Sequence, residues 1–187
     1  MNLFALSDIL FGKVNPSGKL PYTYPRQTNN LTSYDYKESE NIGTNFQSGA
    51  FNPQYEFGFG LSYTTFSYTN FKLIEEHVVD KEVLKFFVDV TNTGSVPGKE
   101  VVQLYIRDNV SSATRPVKEL KGYKRVALKA GETKKVTFSL NAESLAFYDI
   151  NMVYCVEPGK FTIMTGSSSN SKDLKKVILA VNNKIEL

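Results

Sequence analysis

The sequence predicts a mainly β fold in which the second part of the chain forms an antiparallel β-sandwich. After Gly60, apolar and polar residues alternate with period two, and turn residues interrupt this alternation about every 8 to 12 positions. No stretch of helical periodicity separates the alternating runs. Short strands at this spacing are typical of a sandwich of the immunoglobulin type, so we assign residues 61–187 to one such domain.

The alternation predicts about seven or eight strands. The run 84–91 alternates strictly and ends at the turn residues 92–94. Both faces of the run 100–107 carry bulky side chains, which predicts a central strand. The other predicted strands are 64–73, 121–128, 133–140, 152–156 and two runs that begin at Phe161 and Ile178.

The first residues predict a short amphipathic helix. Gly12 follows the last apolar position, where a left-handed C-terminal cap is expected. An isolated helix of about ten residues is marginally stable in water, so we expect its apolar face to pack on a partner. We therefore interpret residue 1 as a cut within a longer protein. The apolar residues at helical spacing are Leu3, Phe4, Leu6, Ile9, Leu10 and Phe11.

Residues 12–60 predict an extended linker that crosses a protein surface. This stretch is rich in Pro, Asn, Ser, Thr and Gly, and its one strand-like run is 19–24. A stretch of about 50 residues with so little periodicity is unusual inside a compact domain. We therefore predict two units, which are 1–60 and 61–187.

Composition argues against several classes of partner. The 22 basic and 19 acidic side chains give a formal net charge of +3, and the lysines are interspersed with acidic residues. We therefore expect no nucleic-acid partner, and without a run of about 20 apolar residues we expect no membrane span. Cys155 is the only cysteine, and we expect a buried small apolar residue there. The N-terminal residues lack the basic region of a secretory signal peptide.

Several residues of types that are catalytic or ligand-binding in other proteins have a structural interpretation in this sequence. Glu75 and Glu76 point to opposite faces of an extended segment, so we expect a solvated loop and no catalytic pair. His77 has no second histidine and no nucleophile motif, and we place it on the surface. Residues 58–60 lack the third glycine of a phosphate loop, which favours a tight turn. We predict no catalytic, cofactor-binding or metal-binding residues.

The eleven tyrosines and thirteen phenylalanines leave two interpretations open. Tyr63, Tyr68 and Tyr105 are candidates for a platform on which sugar rings stack. Aromatic residues along strands also fill the core of a sandwich or an interface between domains.

Three stretches match one family in the same order. The segment DILFGKVNPSGKLP at 8–21 resembles the end of the α/β-sandwich domain of family 3 glycoside hydrolases. The segment YEFGFGLSYT at 55–64 is similar to the junction into the last domain of that family. Within 90–168, the motifs VTNTG, GKEVVQLY, RP, ELKGY, EPGKF and GSS resemble its fibronectin type III-like domain. By this resemblance, 1–60 is the tail of the α/β-sandwich domain with a linker, and 61–187 is the fibronectin type III-like sandwich.

The resemblance implies a parent enzyme that is an exo-acting, retaining β-glycosidase, most often a β-glucosidase or β-xylosidase. Retention needs two carboxyl groups about 5 to 5.5 Å apart. In the family these come from an N-terminal barrel and from the α/β-sandwich domain, upstream of residue 1. The resemblance therefore implies that this chain is a non-catalytic accessory and stabilising domain whose partners are the catalytic barrel and the α/β-sandwich domain of the parent enzyme.

A second function stays open, in which the chain is an autonomous module that binds polysaccharide or a protein partner. An accessory domain is expected to expose an apolar docking face, whereas an autonomous module is expected to be soluble and to bind ligand by itself. The localisation is unknown from this sequence, and the resemblance implies a periplasmic or extracellular parent enzyme.

The junction between the two units carries three candidate interdomain packing residues, Tyr55, Phe57 and Phe59. Alternation along an extended segment predicts that all three rings lie on one side. Gly58 and Gly60 are then expected to supply either a positive φ or a close backbone approach. We hypothesise that this segment clamps the sandwich to the catalytic body and has no role in sugar binding.

Overall fold

The computed structural model describes residues 3–28, 33–37, 51–74 and 83–187. One α-helix, α1, spans Leu3–Leu10, and a 3₁₀ turn spans Ala142–Ser144. The strands are β1 (Phe66–Leu73), β2 (Leu84–Asn92), β3 (Gly98–Asp108), β4 (Glu119–Leu128), β5 (Thr133–Leu140), β6 (Phe147–Tyr148), β7 (Tyr154–Val156), β8 (Gly159–Gly166), β9 (Lys175–Val181) and β10 (Ile185–Glu186). Glu75, Glu76 and His77 lie outside the described residues.

Two antiparallel sheets form the sandwich. One has the order β1-β2-β5 and the other the order β4-β3-β8-β9, while β10-β7-β6 form a small third sheet. The prediction of a mainly β sandwich preceded by a short helix is confirmed. In the described part of the chain, no helix has the length and apolar character needed to cross a membrane.

Period-two alternation explains how the three-stranded sheet covers the core. In β2, Phe86, Val88 and Val90 are fully buried, and the residues between them face away from the core. Phe86 pairs with Phe138 and Val88 with Val136 across β5, so large apolar side chains lie opposite each other on the inner face. Such cross-strand pairs stabilise a sheet by up to about 1 kcal/mol each.

The prediction that 100–107 forms a central strand is confirmed, because β3 lies between β4 and β8. Val102, Leu104 and Ile106 of β3 face the sandwich core. Gln103 and Tyr105 of the same strand are also buried, although they point to the opposite face. The outer face of the four-stranded sheet is therefore covered in its centre.

Two local predictions agree with the structure, whereas one strand-like run does not form a strand. Gly12 has φ +75° and its amide donates to Ile9 O (3.0 Å), so it caps α1 as predicted. Cys155 is fully buried, also as predicted. The run 19–24 forms no strand, and its only bridge pairs Tyr24 with Tyr55.

A polar turn follows β6. Asp149 Oδ1 accepts from the amides of Asn151 (2.9 Å) and Val153 (3.0 Å), and Asp149 Oδ2 accepts from Lys184 Nζ (3.0 Å). The hydrogen bond from the Val153 amide and the one from Lys184 hold the pKa of Asp149 below its usual range. The turn thus depends on an ionised carboxylate.

Candidate interdomain surface

The linker crosses the outer face of the four-stranded sheet and is hydrogen-bonded to it. Gln103 Nε2 on β3 donates to Gly58 O (3.1 Å) and to Ser167 O (2.7 Å), and the Tyr105 hydroxyl donates to Gln103 Oε1. The Ser169 amide donates to Phe57 O (2.9 Å). These bonds satisfy buried polar groups of the sheet, which explains why Gln103 can lie at 3% exposure.

A small apolar cluster holds the linker against this face. Tyr105, Met164 and Leu174 form its buried part, and the linker contributes Tyr34 and Phe57, whose ring centroids are 4.3 Å apart. The Tyr34 hydroxyl accepts from the Leu120 amide, and burial raises the pKa of Tyr34 to about 12. The cluster is therefore a second core, formed between the linker and the sandwich.

The junction contains a turn, so the predicted placement of all three rings on one side is wrong. The Phe59 amide donates to Glu56 O (3.1 Å), and Gly58 between them has φ +78°. This turn points Phe57 into the cluster with Tyr34, whereas Tyr55 stacks on Phe59 with centroids 4.6 Å apart. Period-two alternation predicts on which side of a segment each side chain lies only where the backbone is extended, and the turn interrupts the extended backbone here.

The prediction for the two junction glycines is confirmed. A Cβ on Gly58 would lie 2.0 Å from Gln103 Oε1, and its positive φ disfavours other residues. A Cβ on Gly60 would lie 2.2 Å from Gly18 O. Gly58 thus supplies the positive φ, and both glycines allow a close approach.

A row of aromatic rings lies on the exposed side of the linker. Tyr22 and Tyr24 have centroids 6.2 Å apart, Tyr24 and Tyr55 6.0 Å, and Tyr55 stacks on Phe59. The three tyrosines are exposed, with Tyr24 at 45%. Our sequence prediction missed Tyr22 and Tyr24, although their alternation with Thr23 was a signal. We call Tyr22, Tyr24, Tyr55 and Phe59 the aromatic row.

One buried ion pair connects the linker to the inside of the sandwich. Lys19 Nζ lies 3.3 Å from Glu100 Oε1, and the Tyr68 hydroxyl donates to the same oxygen (2.7 Å). Glu100 is 3% exposed, and its burial raises the pKa of the carboxyl while the charge of Lys19 opposes this shift. Breaking this pair would leave a buried charge without compensation. The pair therefore holds Lys19 of the linker against β3 of the sandwich.

Helix α1 is held to the sandwich mainly at its C-terminal end. Asn15 Oδ1 accepts from Ser62 Oγ and from the Tyr63 amide (both 2.9 Å), and the Tyr63 hydroxyl donates to Ile9 O (2.7 Å). Leu10 and Phe11 are nevertheless exposed, with Phe11 at 82%. The helix therefore presents apolar side chains to solvent.

Beside this helix lies a groove of about 660 Å³, between residues 9–17 and the edges of β3, β4 and β5. Its apolar wall includes Ile9, Val14, Pro16 and Pro97. Its charged rim carries one acidic residue, Glu132, and the cations Lys13, Lys99, Arg125, Lys129 and Lys134.

The suggested platform of Tyr63, Tyr68 and Tyr105 does not exist. Tyr68 lies in the main core and Tyr105 in the cluster under the linker, so neither ring is accessible to a sugar. Only Tyr63 is exposed. Among the described residues, no group of three or more His, Cys, Asp or Glu side chains is arranged to hold a metal ion.

Two family models match successive parts of this chain. The family model for the glycosyl hydrolase family 3 C-terminal domain matches residues 2–63, and the model for the fibronectin type III-like domain matches residues 100–169. The chain belongs to the C-terminal region of the family 3 glycoside hydrolases. The resemblance found in the sequence is thereby confirmed.

Similar family 3 proteins include glucosidases and xylosidases. A β-xylosidase from Formosa agariphila is 43% identical over 180 residues, which are 95% of this chain and 25% of that protein. A periplasmic β-glucosidase from Salmonella typhimurium is 38% identical over 88% of this chain and 23% of its own length. The solved structure of a β-glucosidase from Erythrobacter marinus has a TM-score of 0.86 at 39% identity, over 94% of this chain and 23% of that one. The chain thus spans about a quarter of the length of these proteins.

Proposed function

We propose that this chain is the non-catalytic C-terminal module of a family 3 β-glycosidase and that it stabilises the catalytic domains of that enzyme by packing against them. The observation that carries the proposal is the exposure of Leu10, Phe11 and the tyrosines of the aromatic row, in a chain that covers about a quarter of its relatives. By analogy with its relatives, a β-xylosidase and a β-glucosidase among them, we propose that the parent acts on β-glucosides or β-xylosides.

The docking surface has two parts. The first is the exposed side of α1 with Leu10, together with Phe11 directly after the helix, and the second is the aromatic row. Helices of this length need a packing partner, and contiguous exposed aromatic rings are typical of interfaces. The proposed occupants are the α/β-sandwich domain and the catalytic barrel of the same longer polypeptide. Of the three residues predicted at the junction, Tyr55 and Phe59 belong to this surface, and Phe57 holds the linker to the sandwich.

Polysaccharide binding is the competing function, because exposed tyrosines such as those of the aromatic row also stack on sugar rings. Two arrangements favour docking over sugar binding. Tyr55 and Phe59 already stack on each other, and α1 also exposes the aliphatic side chains of Leu6 and Leu10. A periplasmic or extracellular location is proposed for the parent, supported by the name of one relative.

The experiment compares this chain with the longer family 3 polypeptide that the proposal requires. Each is purified and assayed with aryl β-glucosides and aryl β-xylosides. We expect turnover only from the longer polypeptide, because the resemblance to the family places both catalytic carboxyl groups in other domains of the proposed parent enzyme. Turnover by the 187-residue chain that is abolished by a substitution within it would contradict the proposal.

A second measurement separates docking from sugar binding. The chain is titrated with cello-oligosaccharides and xylo-oligosaccharides, and binding is followed by calorimetry. Docking predicts no saturable heat for wild type or for Tyr24→Ala. Saturable binding that Tyr24→Ala removes would assign the aromatic row to a sugar site.

A further inference from the structure

The groove beside α1 is held in shape by hydrogen bonds between the linker and the sandwich. Asn15 Nδ2 donates to Pro97 O (3.0 Å), and Arg125 Nη2 donates to Ser17 Oγ (2.8 Å). All four residues line the groove, so these bonds join its two sides. Its volume of about 660 Å³ lies within the range of pockets that bind ligands. The groove is therefore a preformed depression that is large enough to hold several side chains of a partner.

The wall of the groove exposes apolar side chains. Val14 is 50% exposed, and Pro97 and Ala127 are exposed as well. α1 contributes Ile9 to the same wall, and the following residue, Leu10, is exposed on the helix. Apolar groups that line a groove on a protein surface are typical of an interaction site. The wall thus favours an occupant with apolar side chains of its own.

The rim of the groove keeps an excess of positive charge after its ion pairs are taken into account. Lys13 Nζ lies 3.4 Å from Asp8 Oδ1, and Lys134 Nζ lies 3.3 Å from Glu132 Oε1. Among the described residues that line the groove, Glu132 is the only carboxylate. Two of the five cations of the rim therefore already have a carboxylate partner.

The other three cations of the rim are Lys99, Arg125 and Lys129. Arg125 donates to a neutral hydroxyl of the linker, and Lys99 forms no ion pair within the described parts of the chain. Lys129 has Glu132 near it, but this carboxylate already pairs with Lys134 and accepts from the Lys129 amide (2.7 Å). All three cationic residues are exposed. Carboxylates of a partner would form charge-assisted hydrogen bonds with them.

We propose that the groove receives an acidic segment of another domain of the longer family 3 polypeptide, with its carboxylates against the rim and its apolar side chains on the wall. The proposal rests on the proposed function, because the occupant belongs to the part of the parent that this chain, at about a quarter of the length of its relatives, does not contain. A neutral saccharide would leave the cations without partners, and a small inorganic anion would leave the wall uncovered. A polypeptide segment that carries both kinds of side chain is complementary to both surfaces.

Lysine modification measures whether the groove is covered. The 187-residue chain and the longer polypeptide are treated briefly with an acetylating reagent, and the rate of reaction at each lysine is measured by mass spectrometry. We expect Lys99 and Lys129 to react at least about tenfold more slowly in the longer polypeptide, because a covered amine reacts only when the covering segment opens.

Charge variants test whether the occupant is acidic. In the longer polypeptide, Lys99→Glu should speed the modification of Lys129 about fivefold, because the reversed charge repels the segment. Lys99→Arg keeps the charge and should change this rate within about twofold. Lys175→Glu is the matched control and should also change the rate within about twofold, since Lys175 is an exposed strand lysine on β9, at the edge of the sheet opposite β4. Each rate is divided by that of the same variant of the 187-residue chain, which removes direct effects of the substitution on Lys129.

The outcomes separate this proposal from the proposed function. Phe11→Ala in the longer polypeptide reports on the docking of α1 independently, because Phe11 does not line the groove. A loss of stability in that variant, together with equal reaction rates of Lys99 and Lys129 in both polypeptides, would overturn the groove proposal and leave the proposed function standing. No loss of stability together with equal rates would contradict both. Slow modification of Lys129 that Lys99→Glu leaves unchanged would mean that a neutral surface covers the groove, and this result would also overturn the proposal.

Discussion

Phe57→Ala tests whether the linker is held to the sandwich by the cluster of Tyr34, Phe57, Tyr105, Met164 and Leu174. Truncating a fully buried Phe costs about 3 to 5 kcal/mol, and Phe57 is half-buried. We therefore expect a loss of about 2 kcal/mol in the free energy that keeps the linker docked. At about 1.4 kcal/mol per factor of ten, this equals a roughly 30-fold rise in the population of the undocked linker.

Hydrogen exchange measures this opening locally. The amides of Ser169 and Val117 report on it, because they donate from the sandwich to Phe57 O (2.9 Å) and Tyr36 O (3.0 Å) of the docked linker. Phe57→Ala should lower the protection of both amides about 30-fold, while amides in the middle of β2 keep theirs. Phe11→Ala is the control, since its ring is 82% exposed and the same truncation should change protection by about twofold or less. Unchanged protection in Phe57→Ala, or an equal loss in the control, would refute this account of the cluster.

Two further predictions concern the turns. Gly58→Ala should lower the free energy of unfolding by at least about twice as much as Gly131→Ala, because both positions have positive φ but only the first would place a Cβ against Gln103; equal losses in urea unfolding would contradict this. The pKa of Asp149 is depressed in the folded state, so its stabilising contribution is present above the unfolded pKa and is lost as pH falls through the folded pKa. Asp149→Asn should therefore flatten the acid limb of stability against pH, and an unchanged limb would argue against the bond from Lys184.

The sequence predicts most of the sandwich because apolar and polar residues alternate along the longer strands, and this alternation indicates which face of each strand is buried. In β2 and β5 the alternation matches the burial of Phe86, Val88, Val136 and Phe138. The two-residue strands β6 and β10 were missed, since two residues are too few to show a period.

The candidate surfaces were harder to predict because they depend on which face of a sheet is covered. Tyr105 faces outward from β3 and is buried among Met164, Leu174 and residues of the linker, which no local pattern indicates. The sequence indicated a turn at Gly58. It did not indicate that this turn directs Phe57 into the cluster with Tyr34.

In the proposed function, the apolar surface formed by α1 and the adjoining Phe11 packs against other domains of a longer family 3 polypeptide. Phe11→Ala tests it most directly when its effect on stability is measured in two contexts. In the 187-residue chain the ring is exposed, so the free energy of unfolding should change by less than about 0.5 kcal/mol. In the longer polypeptide the same substitution should cost about 3 kcal/mol and clearly lower the unfolding midpoint, with the Michaelis constant for aryl β-glucosides unchanged within about twofold. An equal, small effect in both contexts, or an unaltered midpoint with a raised Michaelis constant, would contradict the claim.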